Sequence, residues 1–303
     1  MEYAWDEGKV SAQGVYWGRG IWWRWGEMSE SFRVEECLQN IFREGIEFLD
    51  KHVHNQPGKP FFLYLPLTAP HTPWVPDEAF KGKSSIDTYG DFVMQIDNHI
   101  DRIIKKVREL GIEENTIIVF SSDNGAPWPP QDIVKFGHNA NWSRRGQKGD
   151  VWEGGHRIPL IIKWPAIIRK HTRYDHLVSL TDLYATFAEL TGQQINENNG
   201  EDSFSLMEVI NGNTEVEIRN SMIHQSGIYG IRLDGWKYID GLGSGGFSVP
   251  RKVEPEPNGP SGQLYRIVSD SLESENLYLT NPEMVNMLRD EMQKQINQGY
   301  TTK

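Results

Sequence analysis

With 303 residues, of which 38% are hydrophobic, the chain is long enough to bury one large core, or a core and a smaller companion. Its formal net charge is −11, from 31 basic and 42 acidic residues, and no basic run breaks the acidity, so a nucleic-acid backbone or an anionic membrane surface is a poor expected partner. No apolar segment reaches membrane-spanning length, no targeting signal follows Met1, and Cys37, the single cysteine, forms no internal disulfide.

Residues 1–30 hold five of the eleven Trp and show neither a helical nor a strand period, so they read as loop. From Ser31 the pattern turns helical: Val34, Cys37, Leu38, Ile41, Phe48 and Leu49 fall near one face until "NQPGKP" stops it. The run "FFLYLPL" (61–67) reads as a buried strand and ends in "TAPHTPW". A second helix is predicted over 87–110, where Tyr89, Val93, Ile96, Ile100, Ile103 and Val107 keep the 3.6 period, with Gly111 as terminator. The stretch "TIIVFSSDNG" (116–125) is then a strand that ends abruptly in two hydroxyls and the pair Asp123-Asn124. Strand, helix and strand in this order predict a βαβ unit with parallel strands. His71 and Asp123-Asn124 then project from carboxyl ends on one edge, where open α/β sheets bind ligands.

"RIPLIIKWP" (157–165) is a third apolar strand. The loop before it, "HNANWSRRGQKGDVWEGG", is rich in Gly and cations and is expected to share that rim if the strand also runs parallel. "DHLVSLTDLYATFAELTG" (175–192) reads as an amphipathic helix closed by Gly192, and "QQINENNGEDS" as a polar loop. The remainder changes character. "NSMIHQS", "YGIRLD" and "WKYID" are short alternating segments parted by Gly or Asp-Gly, which predict an antiparallel sheet with tight turns. A Gly/Pro-rich loop follows, and "PEMVNMLRDEMQKQIN" is a terminal helix. A catalytic core over 1–218 and an antiparallel subdomain over 219–303 are therefore expected.

The rim residues suggest chemistry that each could also lack. Asp123 and Asn124 supply hard oxygen ligands suited to Ca²⁺ or Mg²⁺, although Asp-Asn-Gly is also an ordinary turn sequence. His71, in a loop stiffened by Pro66, Pro70, Pro73 and Pro76, can protonate a leaving oxygen or hydrogen-bond an anion; a surface histidine would look the same. Lys148, with Arg144 and Arg145 before it and Gly146 and Gly149 around it, can close on an oxyanion. A solvated basic loop is the bland reading.

The blocks "FFLYLPLTAPHTPW", "YGDFVMQIDNHIDRIIKKVRELGIEENTIIVFSSDNG", "RGQKGDVWEGGHRIPLIIKWP", "DHLVSLTDLYATFAELTG" and "GQLYRIVSDSLESENLYLTNPEM" together resemble the formylglycine-dependent sulfatases, in order over residues 31–293. The resemblance implies an alkaline-phosphatase-like α/β/α sandwich with a small antiparallel α+β C-terminal subdomain. It also implies Ca-assisted hydrolysis of an aryl or carbohydrate sulfate ester. Asp123 and Asn124 match the family's Ca²⁺ ligands, His71 the histidine at the scissile or leaving oxygen, and Lys148 the lysine that holds the sulfate. His138 and Arg145 are expected substrate contacts. The implied partner is a sulfated small molecule or sulfated glycan, and the implied location periplasmic or secreted.

One departure outweighs these agreements. The family's nucleophile arises in a Cys/Ser-x-Pro-x-Arg motif, which is absent: Cys37 stands in "EECLQN", and "SVPRK" at Ser248 lacks the residue between Pro and Arg. The early strand ending in paired Asp is missing as well. The expectation is an N-terminally incomplete sulfatase, its sheet edge exposed, with no turnover alone and a missing N-terminal segment as a partner. Two alternatives stand beside it. A phosphodiesterase or phosphonate hydrolase of the same superfold would need further His/Asp ligands for two metals. A non-catalytic sulfated-glycan-binding remnant would use Trp22, Trp23, Trp25, Trp74, Trp128, Trp142 and Trp152 as stacking surfaces, unless these rings are simply buried under loops.

Overall fold

The computed structural model describes residues 29–196 and 199–302; Trp22, Trp23 and Trp25 lie outside the described residues. The chain divides into two compact units, one up to Thr116 and one from Ile117 onward.

In the first unit, helices α1 (Cys37–Asn55) and α2 (Asp87–Glu109) pack on each other. Their apolar stripes meet through Leu38, Phe42 and Leu49 of α1 and Tyr89, Phe92, Ile96 and Val107 of α2, all buried. Gly45 makes room for a third layer, because a Cβ there would stand 3.0 Å from the Leu65 side chain. The helix boundaries fall close to those expected, since Gly111, in the left-handed region, ends the second run.

Residues 61–67 correct the sequence reading. They are extended, with Phe61, Leu63, Leu65 and Leu67 turned inward and Phe62 and Tyr64 exposed, yet they form no strand. Apolar alternation orients side chains, but a ladder also needs a backbone neighbour. None of the described residues supplies one. The following turn holds His71 at the surface, and Trp74 is buried, donating its indole N–H to the Pro70 carbonyl at 3.0 Å.

The second unit opens with β1 (Ile118–Ser121), then α3 (Pro130–Phe136), α4 (Glu153–His156) and β2 (Leu160–Lys163). β1 pairs with β2 and the pair is antiparallel, Ser121 facing Leu160 and Ile118 facing Lys163. The expected parallel βαβ pairing of β1 is thus overturned. The register has a consequence for the rim: an antiparallel partner brings the segment before β2 to the end where β1 finishes. The loops 122–128 and 141–159 share an edge for that reason, by the opposite strand direction from the one expected.

Helix α5 (Asp182–Leu190) is shorter than its apolar pattern, because the Asp182 carboxylate accepts the backbone N–H groups of Ser179 and Phe204 and is paired with buried Arg219. That anchoring holds residues 175–181 out of the helix. Helix α6 (Met207–Ile210) packs Leu206, Met207 and Ile210 against Leu160 and Ile162 of β2.

Four strands complete the unit as an antiparallel meander in the order β3 (Ser221–Ser226), β4 (Ile228–Leu233), β5 (Trp236–Ile239) and β6 (Gln263–Arg266). The β4–β5 hairpin turns at Asp234-Gly235, both at positive φ (49° and 74°), as a tight Asp-Gly turn requires. Helix α7 (Pro282–Gln298) starts on Pro282 and ends at left-handed Gly299. Its Val285, Leu288 and Met292 bury against Ile231, Tyr238 and Leu264 of the sheet.

Candidate active site

The loop after β1 is fixed by close backbone approach. Gly125 donates its N–H to the Gly155 carbonyl at 3.0 Å, and a Cβ on Gly125 would lie 1.8 Å from the Gly154 carbonyl oxygen. Only glycine fits there. Asn141 clamps the same loop: its Oδ1 accepts the Ala126 N–H at 2.8 Å and its Nδ2 donates to the Ala126 carbonyl at 2.9 Å. Lys148 donates its own backbone N–H to that carbonyl at 3.2 Å. Asp123-Asn124 and Lys148, 24 residues apart in Asn124's case, are therefore carried on one bonded loop pair.

The lysine loop is seated on the meander sheet. Val151 and Trp152 bury against Ile239, Tyr265 and Ile267, the Trp152 indole donates to Gln263 Oε1 at 2.9 Å, and the Glu153 N–H donates to Glu273 Oε2 at 2.7 Å. Asp150 accepts the N–H groups of Gln147 and Ser248, each at 2.9 Å. The basic loop of the sequence is thus a tied structure, rather than a solvated excursion.

Asn124, Lys148, Gly149, Gly155 and His156 line one cavity of about 440 Å³, together with His224, Gln225 and Phe247 from the other wall. The Lys148 ammonium has no carboxylate partner among the described residues, and its three N–H donors are available to an anion. Behind it lies a buried charge cluster. Lys237 is fully buried between Glu153 (3.1 Å) and Glu273 (2.9 Å), and Arg232 reaches Glu153 at 3.2 Å. Burial by itself raises the Glu153 carboxyl; Lys237 and Arg232 outweigh it and hold the group well below the ordinary carboxylate range. Burial pushes Glu273 the other way, upward, despite Lys237.

His156 and His224 stack face to face with ring centroids 3.7 Å apart. Burial, with Lys237 nearby, pushes His224 down to about 3, and burial with His224 and Lys237 beside it drives His156 well below its usual value. Both rings are neutral at physiological pH. Sequence reasoning missed this pair, since a histidine after "EGG" and one inside a strand carry no local signal; only the fold stacks them.

The other expected residues are distributed as follows. His71 is exposed in the first unit, its Nδ1 2.7 Å from the Thr72 carbonyl. An Nδ1–H donating there leaves Nε2 as the basic nitrogen. Asp123 is exposed. His138 is exposed, its ring edge-on to Trp128. Arg145 is half-buried: its guanidinium stacks on Trp152 at 3.8 Å and donates to the Tyr265 hydroxyl and the Glu273 carbonyl. Of the tryptophans, Trp74, Trp128 and Trp152 are buried, which overturns their reading as sugar-stacking surfaces; Trp142 is exposed.

A Ca²⁺ ion takes six to eight oxygen ligands. Among the described residues no group of three or more His, Cys, Asp or Glu is placed to hold a metal, so the Asp123 carboxylate and Asn124 amide do not make a calcium site by themselves. No Cys/Ser-x-Pro-x-Arg motif supplies a formylglycine. Cys37, at the start of α1, is pushed up by burial and by Glu35 and Glu36, the reverse of an activated thiol.

Comparison with known proteins concerns the family and the fold. The sulfatase family model matches residues 10–193. An N-acetylgalactosamine-6-O-sulfatase of Bacteroides thetaiotaomicron is 30% identical over 277 residues, 89% of this chain and 53% of that protein. Human steryl-sulfatase is 29% identical over 205 residues, 67% of this chain and 34% of that one. Among solved structures, a Bacteroides thetaiotaomicron chain described under the metabolism of multiple glycosaminoglycans superposes with a TM-score of 0.75 at 28% identity, over 87% of this chain and 55% of that one. Ps i-CgsB, in complex with k-i-k-neocarrahexaose, gives 0.67 at 29% identity, over 88% and 56%. The chain spans about half the length, or less, of the relatives it matches. Its fold is the alkaline-phosphatase-like α/β fold of these proteins, with helices beside the antiparallel β1–β2 pair and an antiparallel C-terminal meander, and the chain belongs to the sulfatase family.

Proposed function

We propose that the cavity beside Lys148 receives the sulfate group of a sulfate ester, and that the ester is a carbohydrate sulfate. One observation carries this: Asn124 and Lys148 line one cavity on a bonded loop pair, with no carboxylate neutralising the lysine among the described residues. A rigid ammonium in a partly enclosed site stabilises an oxyanion without reorganising when charge develops.

In this reading Lys148 donates to the sulfate oxygens and to the bridging oxygen of the bound ester. His71, in the first unit, is a proposed donor to a leaving oxygen on the strength of the family resemblance alone. Asp123 and Asn124 are the proposed oxygen ligands that this chain contributes to a Ca²⁺ site, and no step is drawn through the ion or through formylglycine. His138 is a proposed substrate contact. Arg145 is a further proposed substrate contact, and its guanidinium also ties the lysine loop to Trp152, Tyr265 and Glu273. Residues 219–303 are the proposed subdomain that closes the cavity, and a periplasmic or secreted location is proposed from the bacterial relatives; no described helix is long and apolar enough to cross a membrane.

The two-metal hydrolase alternative needs a further His/Asp cluster, and none is present among the described residues. Titration of the chain with inorganic sulfate in a calorimeter tests the main reading. Binding that weakens about tenfold or more in Lys148→Ala is expected for loss of a charge-assisted contact; equal affinity in both proteins would remove Lys148 from the site.

A further inference from the structure

His156 lines the same cavity as Lys148 and meets it through a neutral ring. We propose that the His156 Nδ1–H is a second donor of the anion site, bonding an oxygen of the sulfate group that Lys148 holds. The proposal rests on Lys148 holding that group.

The tautomer follows from what faces the other ring nitrogen. Nε2 stands 3.0 Å from the Lys237 ammonium, which has protons to give and no lone pair to offer. Nε2 is therefore the acceptor, and the single ring proton sits on Nδ1. The Val151 carbonyl, 3.2 Å from Nε2, would suit the opposite tautomer, but an Nε2–H would then face the ammonium at the shorter distance. A second ring proton meets the same obstacle, since it would set a cation against Lys237.

The two nitrogens of an imidazole project to different sides, so with Nε2 on Lys237 the Nδ1–H turns away from the buried charges. It makes no hydrogen bond among the described residues, and it is not sealed from solvent as His224 Nε2 is. The side chain is 20% exposed, which leaves this edge of the ring for the cavity.

The ring is also fixed in advance. His224 stacks on its face at 3.7 Å with the two planes 20° apart, and Lys237 holds its inner edge. Gly155, its chain neighbour, packs on the lysine loop so closely that a Cβ would stand 2.0 Å from the Asp150 carbonyl oxygen and 2.9 Å from that of Gln147, the residue before Lys148. Ammonium and imidazole are thus carried on one folded loop. Donors held in place bond an oxyanion without reorganising.

Two amide substitutions separate the ring nitrogens. His156→Asn offers an N–H near the place of Nδ1 and gives up the bond from Lys237; His156→Gln keeps an acceptor near the place of Nε2 and gives up the Nδ1–H. Titrated with inorganic sulfate in a calorimeter at neutral pH, His156→Gln should bind about tenfold more weakly and His156→Asn within about threefold of the parent. A purely structural role predicts the reverse order, because affinity would then follow the Lys237 bond. Any order but the expected one, equal losses included, overturns this donor alone so long as binding is still lost in Lys148→Ala. Sulfate binding that is absent, or indifferent to Lys148→Ala, overturns the anion site and this proposal with it. Should either variant fail to fold, nitrogen NMR of the histidine-labelled parent decides. A proton on His156 Nδ1, with that resonance shifted by added sulfate, is expected; a proton on Nε2, or an Nδ1 resonance indifferent to saturating sulfate, overturns the proposal.

Discussion

Gly125 shows how little latitude single residues have at this site. Its Cβ position is occupied by the Gly154 carbonyl at 1.8 Å, so the Asp-Asn-Gly turn and the "EGG" segment can be carried on adjoining loops only if both are bare backbone. Gly125→Ala should cost about 3 kcal/mol, read as a lower denaturant midpoint with an unchanged slope. Lys237 illustrates the opposite constraint. It is wholly buried between two carboxylates, and Lys237→Met removes the cation they share, leaving Glu153 to Arg232 and Arg157 alone. A loss of about 3–5 kcal/mol is expected from the same denaturation measurement, and a near-neutral result would mean that the cluster does not hold the lysine loop.

At the scale of elements, the stacked pair links α4 to β3 and makes stability depend on acid. Both histidines have folded values below their unfolded ones, so the unfolded chain takes up protons that the folded chain refuses. Their contribution is present above pH ~6.5 and is lost as pH falls below it, for His224 down to about 3, at up to about 1.4 kcal/mol per pH unit for each ring. His224→Phe keeps a flat ring against His156 and removes one titrating group. Unfolding free energies measured between pH 6 and pH 4 should therefore fall less steeply in the variant; parallel slopes would show that His224 is already charged in the folded protein. The β1–β2 pair makes a second point at this scale. Because the strands are antiparallel, the cation-rich segment preceding β2 meets the end of β1 directly, and no crossover helix is required.

For the whole molecule, family membership and catalytic competence are separate questions with separate tests. The sulfatase model covers residues 10–193, while the chain spans 53% of the Bacteroides sulfatase and its only cysteine is a half-buried helix residue with its thiol pushed up. The 1–303 polypeptide expressed by itself should release no 4-nitrophenol from 4-nitrophenyl sulfate. Turnover that disappears in Lys148→Ala would show that another group in this chain attacks sulfur. The charge of −11 repels polyanions at long range, so the proposed sulfate would be held by the local charge of Lys148, within a screening length of about 8–10 Å.

Much of this was legible in the chain itself. Helical period and terminators place α1, α2 and α7, Asp234-Gly235 places the β4–β5 turn, and the order of the sequence blocks indicates the family, because such signals are local and survive without knowledge of neighbours. Pairing was not legible: residues 61–67 have a strand's alternation and no ladder, and β1 took an antiparallel partner. Nor was the fate of individual side chains, with Arg145 drawn into the frame, Trp128 and Trp152 buried, and Phe247, in a stretch that reads only as a Gly/Pro loop, presented to the cavity. Periodicity constrains which face of a segment is apolar, but what lies against that face, and which polar groups remain without partners, is set by residues far away in sequence, and only packing brings them together.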